Sequence, residues 1–166
     1  MSEKIPGFEI RYTQLTDASN LKEWLNAPGM LHWFPMQEEK EIEDAAQAWA
    51  SFSRWSCSLT CTIDGVPCAI GTLFLMPYRK VAHHCLIKVI VDPKFQRRGV
   101  GTELIKNLKH LAKSYFRLQI LHVEVYEGNP LVKLLQKEGF RQFAKQERFV
   151  KEGETYLARL LFECFL

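Results

Sequence analysis

The stretch Val89-Ile90-Val91-Asp92-Pro93-Lys94-Phe95-Gln96-Arg97-Arg98-Gly99-Val100-Gly101-Thr102 reads as an apolar strand, a short turn, a basic loop with paired glycines and the start of a helix. A strand delivered into such a loop leaves the first N–H groups of the helix without backbone acceptors. Those donors, with the positive end of the helix dipole, suit a phosphate. Gly99 and Gly101 are expected to let a diphosphate approach the backbone where a Cβ would block it. Arg97 and Arg98 add charge and planar donor forks. Two other phosphate loops fail on spacing. A dinucleotide fingerprint needs a third glycine where Leu104 stands, and a nucleotide P-loop needs Gly-Lys-Ser/Thr where the chain has Gly101-Thr102-Glu103.

Outward from this loop, hydrophobic periodicity sets the elements. Phe8–Thr13 reads as a strand, and Thr16-Asp17-Ala18 opens a helix with Asp17 as its cap. Leu21, Trp24 and Leu25 recur at helical spacing until Ala27-Pro28-Gly29. Glu38–Phe52 is a second helix, acidic at its start. Ser58–Ile63 and Cys68–Leu75 are strands around an Asp64-Gly65 hairpin turn. His84–Val91 is a strand, apolar apart from Lys88. From Gly101 the period changes: Leu104, Ile105, Leu108, Leu111, Ala112 and Tyr115 form a helical stripe. Gln119–Tyr126 is again strand, and Asn129-Pro130 opens a helix that Gly139 ends. Phe140–Val150 and Thr155–Phe165 are the last strands. The order β-α-α-β-β-β-α-β-α-β-β predicts a mixed α/β sheet with helices on both faces.

At 166 residues, 47% hydrophobic and 25% charged, the chain reads as one globular domain over residues 1–166. A net charge of +3 without a basic block argues against a nucleic-acid partner. The start of the chain carries no apolar signal core, and the apolar tail is broken by Arg159 and Glu163, so neither export nor a membrane partner is expected. The five cysteines, without a C-x-x-C pair, read as reduced core residues of a cytoplasmic protein. His83-His84-Cys85 does not predict a metal site, because adjacent strand residues face opposite ways.

Gln96-Arg97-Arg98-Gly99-Val100-Gly101 after Val91-Asp92-Pro93 strongly resembles the acetyl-CoA loop of the GNAT family of N-acetyltransferases, Q/R-x-x-G-x-G/A. Glu124 to Phe140 is similar to the family's strand-Asn-helix-Gly-Phe segment. The resemblance implies the acyl-CoA N-acyltransferase fold, a mostly antiparallel sheet of six to seven strands. It implies acetyl-CoA as cosubstrate, and the lack of ligand spacing predicts no metal. It further implies that the strands before the loop and before Asn129 splay apart, with pantetheine pairing along the backbone of Val89, Ile90 and Val91. The diphosphate would then meet Gln96, Arg97, Arg98, Gly99, Val100, Gly101 and Thr102. Asn129 would bond the cofactor arm, although its position also suits a plain helix cap.

On the Gln119–Tyr126 strand one face carries Leu121, Val123 and Val125 and the other Ile120, His122, Glu124 and Tyr126. In ribosomal-protein N-terminal acetyltransferases, which the chain partly resembles, the position of Glu124 holds the proton acceptor. Glu124 is the candidate general base; the alternative is a salt-bridged or solvent-edge glutamate. His122 is a weaker candidate, and Tyr126 reads as packing. The family's general-acid Tyr is replaced here by Leu135, on a helix face expected to border the cofactor and so to accept Tyr. Trp24, His32, Trp33 and Phe34 concentrate aromatic groups near the helix break, and Trp33 and Phe34 are the candidate acceptor contacts. With Glu38, Glu39, Glu41, Glu43 and Asp44 they predict an acidic, aromatic mouth suited to a polyamine or a peptide N-terminus; a solvated helix face is the alternative. The expected activity is transfer of acetyl from acetyl-CoA to a primary amine, of a small molecule or peptide, by direct attack on the thioester. A non-catalytic acyl-CoA-binding module is the other reading, and a homodimer is left open.

Overall fold

The structure, a computed structural model, describes residues 4–166. Its elements follow the expected order: β1 (Phe8–Tyr12), α1 (Ala18–Leu25), α2 (Glu39–Ser51), β2 (Ser58–Ile63), β3 (Val66–Leu75), β4 (His84–Val91), α3 (Val100–His110), β5 (Ile120–Tyr126), α4 (Leu131–Lys137), β6 (Arg141–Glu152) and β7 (Thr155–Phe165). A π-turn over Leu111–Tyr115 extends α3. The hairpin between β2 and β3 turns at Asp64 and Gly65, both at positive φ (50° and 79°), the twist that two-residue hairpins need. β3 begins two residues before the expected Cys68. It takes in Pro67 where the β2 register shifts between Cys61 and Thr62, and an irregular register is where a strand tolerates proline.

The strands form one sheet in the order β1-β2-β3-β4-β5-β7-β6. All neighbours are antiparallel except β4 and β5, whose connection crosses over through α3. The two parallel strands pair only at His84–Ile120, Cys85–Leu121 and Leu86–His122. Beyond Leu86 each follows its other neighbour: β4 stays on β3 to the Ala69–Val91 pair, and β5 stays on β7 to Tyr126–Arg159. A gap therefore opens in the middle of the sheet.

Helices cover both faces, as the patterning predicts. Leu104, Ile105 and Leu108 of α3 and Leu135 of α4 pack with Leu121 and Phe162 in one core. Leu21 and Leu25 of α1 pack with Ile42 and Trp49 of α2, over Ile70 and Ile90, in the other. Each fully buried Leu or Ile stabilises by about 1.5–3 kcal/mol, so both faces hold the sheet at the gap.

A chain of buried polar side chains, not anticipated from the sequence, ties α2 to the sheet. Trp49 Nε1 donates to Thr72 Oγ1 at 2.7 Å, which lies 2.6 Å from Ser58 Oγ. Ser58 bonds Thr13, Thr13 bonds Thr60, and Thr60 donates to Asp17 at 3.0 Å. Asp17 closes the row with a two-pronged pair to Arg11, both bonds at 2.8 Å. Asp17 is thus not the side-chain cap expected for α1: its carboxylate makes no cap bond there and instead accepts from Gln14 N, Arg11 and Thr60. Burial alone would raise its pKa, but these bonds and the Arg11 charge carry it net below the usual carboxylate range.

All five cysteines are buried and free. Burial pushes the Cys57 and Cys68 thiols up to about 11, Cys85 to about 12 and Cys61 higher still. At pH 8 the Cys57 thiolate fraction is then on the order of 10⁻³. The folded protein is expected to leave these four thiols silent to a chromogenic disulfide reagent, and denaturant to expose them. Rapid titration of Cys61 or Cys85 without unfolding would contradict the packing.

Candidate active site

The gap beyond Leu86 and His122 opens into a cleft of about 260 Å³. Leu86, Lys88 and Val89 line it from β4, and Val123, Glu124 and Tyr126 from β5. Asn129 and Leu131 line it at the start of α4. Trp33, Phe34, Trp49, Phe74 and Phe149 add aromatic walls. The Trp33 ring reaches across to the β5–α4 loop, where a Cβ on Gly128 would stand 3.8 Å from it. A wider cleft of about 610 Å³ lies outside, between the 25–37 segment and Val150–Gly153 of the last hairpin. The two share Phe34, Pro35 and Met36.

Glu124 and Tyr126 face this cleft from the α1–α2 side of the sheet, as strand alternation predicts. Glu124 is 40% exposed at its side chain, and its Oε1 accepts from Arg159 of β7 at 2.8 Å. Arg159 also donates to Gln146 at 2.7 Å and lies 4.1 Å over the Phe149 ring. The salt-bridged alternative for Glu124 is therefore realised, while Oε2 has no hydrogen-bond partner among the described residues. Tyr126 is 5% exposed. Burial first, then the Glu124 charge, push its hydroxyl above the usual phenol range. His122 stands at the closed end of the gap, between His84 (4.9 Å) and Phe143 (5.9 Å), outside the lining. Burial, with His84 beside it, lowers its pKa.

At the loop, the first helical bond of α3 runs from Glu103 N to Gly99 O. The N–H groups of Val100, Gly101 and Thr102 precede it and point out of the helix start. Gln96, Arg97, Arg98 and Gly99 are exposed; Arg97 takes a left-handed φ of 61°, and Arg98 lies 5.3 Å over the Phe95 ring. The two glycines differ in their reasons. Gly99 has φ +84°, which other residues adopt at a cost. Gly101 has no such constraint, but a Cβ there would stand 3.0 Å from Leu134 Cδ2 and 3.7 Å from Val91 Cγ2. Close approach of α4 is thus a reason for Gly101 besides the expected one, room for a ligand. Val89 lines the cleft, whereas the Ile90 side chain turns to the α1–α2 core and leaves only its backbone at the gap. Val91 O already accepts from Gln96 Nε2 at 3.3 Å. Asn129 Oδ1 accepts from Leu131 N at 2.9 Å, so the cap reading holds, with its amide NH₂ left over.

Three expectations need correction. The acidic, aromatic mouth does not form as expected: Glu38, Glu39, Glu41, Glu43 and Asp44 line neither cleft, and Trp24 is buried in the α1–α2 core. Glu41 closes a capping box by accepting from Gln37 N and Glu38 N, Lys40 pairs with Asp44, and Glu39 with Lys22. Leu135 does not border the cleft; it is 0% exposed within the core. His83 precedes β4, so strand alternation does not separate it from His84, and the two rings meet edge-on at 4.9 Å. Among the described residues no group of three or more His, Cys, Asp or Glu is placed to hold a metal, and no helix is long and apolar enough to cross a membrane. Trp49, Phe74 and Phe149 in the lining and Arg159 beside Glu124 carry no local sequence signal for this site. Lys88 had been visible as the one charge in an apolar strand.

The acetyltransferase (GNAT) family model matches residues 19–140. No curated relative matches by sequence. Among solved structures, the chain is similar to the Salmonella typhimurium protein yncA, solved with its cofactor acetyl-CoA, at 18% identity and TM-score 0.80, covering 96% of this chain and 94% of that one. It is similar to a ribosomal-protein-alanine N-acetyltransferase from Brucella melitensis at 18% identity and TM-score 0.79, covering 95% and 99%. It is also similar to an N-acetyltransferase from Staphylococcus aureus Mu50 at 16% identity and TM-score 0.82, covering 95% and 98%. At these identities the likeness establishes the fold, the acyl-CoA N-acyltransferase architecture expected from the sequence.

Proposed function

The chain belongs to the acetyltransferase (GNAT) family, and on that premise we propose that it acetylates a primary amine with acetyl-CoA, by direct attack of the amine on the thioester. Residues 1–166 act as one such domain. The observation that carries this reading is the gap between β4 and β5, which joins the start of α3 to an aromatic cleft containing one carboxylate. Acetyl-CoA supplies the activated acyl group; the protein's share is binding, orientation and proton transfer.

The residues fit such a ligand. The N–H groups of Val100, Gly101 and Thr102 offer unpaired donors to a diphosphate, and Arg97 and Arg98 supply the counter-charge. The β4 edge from Ile87 onward has lost its β5 partner, so its backbone can pair with an amide-bearing arm as an added strand would. Asn129, fixed by its bond to Leu131 N, keeps its NH₂ for that arm. An attacking amine must be unprotonated, and Glu124 Oε2 is the carboxylate oxygen placed to take the proton. Arg159 holds the other oxygen and sets the carboxylate's orientation. Leu135 cannot protonate the departing thiolate from inside the core, whereas Tyr126 keeps a protonated phenol on the cleft wall.

A direct test incubates the protein with acetyl-CoA and a panel of amines, following released CoA thiol and the acetylated product. Turnover with at least one amine supports the proposal. CoA binding without turnover of any amine would instead support a binding module. A companion prediction concerns the loop: Gly101→Val should weaken CoA by about 2 kcal/mol or more, as the branched side chain displaces Leu134 and crowds the anion donors. Calorimetry giving wild-type affinity for this variant would remove the loop from the ligand site.

A further inference from the structure

We infer that the acceptor is an amine flanked by a bulky apolar group, and that polyamines are poor substrates. This rests on the acetyltransferase reading above and narrows its substrate class. The inner cleft is walled by aromatic rings from separate elements: Trp33 ahead of α2, Trp49 on α2, Phe74 on β3 and Phe149 on β6. Trp49 is held in orientation by its bond to Thr72. Such a wall would favour a cation only if its ring faces were free. Two of them are already covered by the protein's own cations: Lys88 Nζ lies 4.8 Å over Phe74, and the Arg159 guanidinium 4.1 Å over Phe149.

The charge count points the same way. Lys88 and Glu124 are the charged residues lining the inner cleft, and Glu124 is bonded to Arg159. A second or third ammonium on the acceptor would meet Lys88 or Arg159 with no unpaired carboxylate to offset it. In the outer cleft Lys151 and Glu152 cancel, and none of the acids at the start of α2 lines either cleft. An apolar group beside the reacting amine, by contrast, buries its surface against the rings and leaves the amine near Glu124. The remainder of a longer acceptor can pass Phe34 and Met36 into the outer cleft. The shared chemistry is found in free hydrophobic amines and at peptide N-termini with an apolar first residue.

The test measures kcat/KM of the full chain with acetyl-CoA for five acceptors: 2-phenylethylamine, ethylamine, spermidine, a short peptide beginning with Leu and the same peptide beginning with Asp. The better of phenylethylamine and the Leu peptide should exceed spermidine by on the order of 50-fold, from burial of the apolar group. Leu should exceed Asp, and phenylethylamine should exceed ethylamine. Whether the peptide or the free amine leads decides which source supplies the apolar amine. Lys88→Glu, checked for a wild-type circular dichroism spectrum, should raise spermidine turnover about 10-fold by reversing one charge. Spermidine as the best wild-type substrate, or ethylamine equal to phenylethylamine, overturns the inference and leaves the acetyltransferase reading standing. CoA binding with no turnover of any of the five overturns both.

Discussion

Replacing Glu124 by Gln is expected to lower kcat about 100-fold, the usual contribution of a positioned general base. The substitution is close to isosteric. A Gln carbonyl oxygen can still accept from Arg159, which holds Glu124 Oε1 at 2.8 Å, so the local register of β5 and β7 should survive. What is lost is the second carboxylate oxygen, the one no described residue occupies. CoA affinity should change little, because the donors proposed for the diphosphate lie at the start of α3, on the other side of the gap from β5. The expected signature is therefore a fall in kcat with an unchanged Kd for CoA and a changed pH–rate profile. Arg159→Gln is the informative companion: it removes the clamp, keeps the carboxylate and should cost less than Glu124→Gln. If Glu124→Gln retains both the turnover number and the pH profile of the wild type, Glu124 is only half of a surface ion pair, a role worth roughly 0–1 kcal/mol.

What the sequence disclosed and what it hid follow from the range of the forces involved. Local spacing suffices for the loop and for the order of elements, since periods of 2 and 3.6 and a Gly-Val-Gly turn are written within a few residues. Strand alternation also places Glu124 and Tyr126 on one face correctly. The partners of Glu124 are another matter. Arg159 lies 35 residues further along and appeared only as a break in an apolar tail; the β5–β7 register makes it a neighbour. Asp17 looked like a cap because caps are local, yet Arg11 and Thr60 outbid the α1 N–H groups for its carboxylate. The acidic run of α2 reads as a mouth by composition, but it lines neither cleft, and Glu38, Glu41 and Asp44 serve capping and i,i+4 pairing. The aromatic wall draws on four separate parts of the chain, so no window of sequence contains it.

Leu135 is where chain-local analogy and packing disagree most, and its substitutions should carry the largest cost in stability. The position corresponds to a phenol in the family, and a helix face bordering the cofactor would accept Tyr there. In the structure the side chain is 0% exposed and belongs to the core shared by α3, α4, β5 and β7. Leu131 and Asn129, one turn earlier, are the α4-end residues that reach the cleft. Leu135→Ala is therefore expected to lower unfolding free energy by about 2–5 kcal/mol, from lost transfer energy plus the cavity left behind. Leu135→Tyr should also destabilise, by about 1–3 kcal/mol for the added volume, with a further penalty of similar size if its hydroxyl finds no partner. Urea titration reads both through the midpoint at constant slope. A Leu135→Tyr variant as stable as the wild type, with turnover raised at high pH, would mean that the side chain turns into the gap and meets the sulfur. Wild-type stability in Leu135→Ala would contradict the core itself. If both variants lose stability and the folded fraction keeps its kcat, the thiolate departs without help from α4, and the proton it needs comes from the Tyr126 side of the cleft or from water.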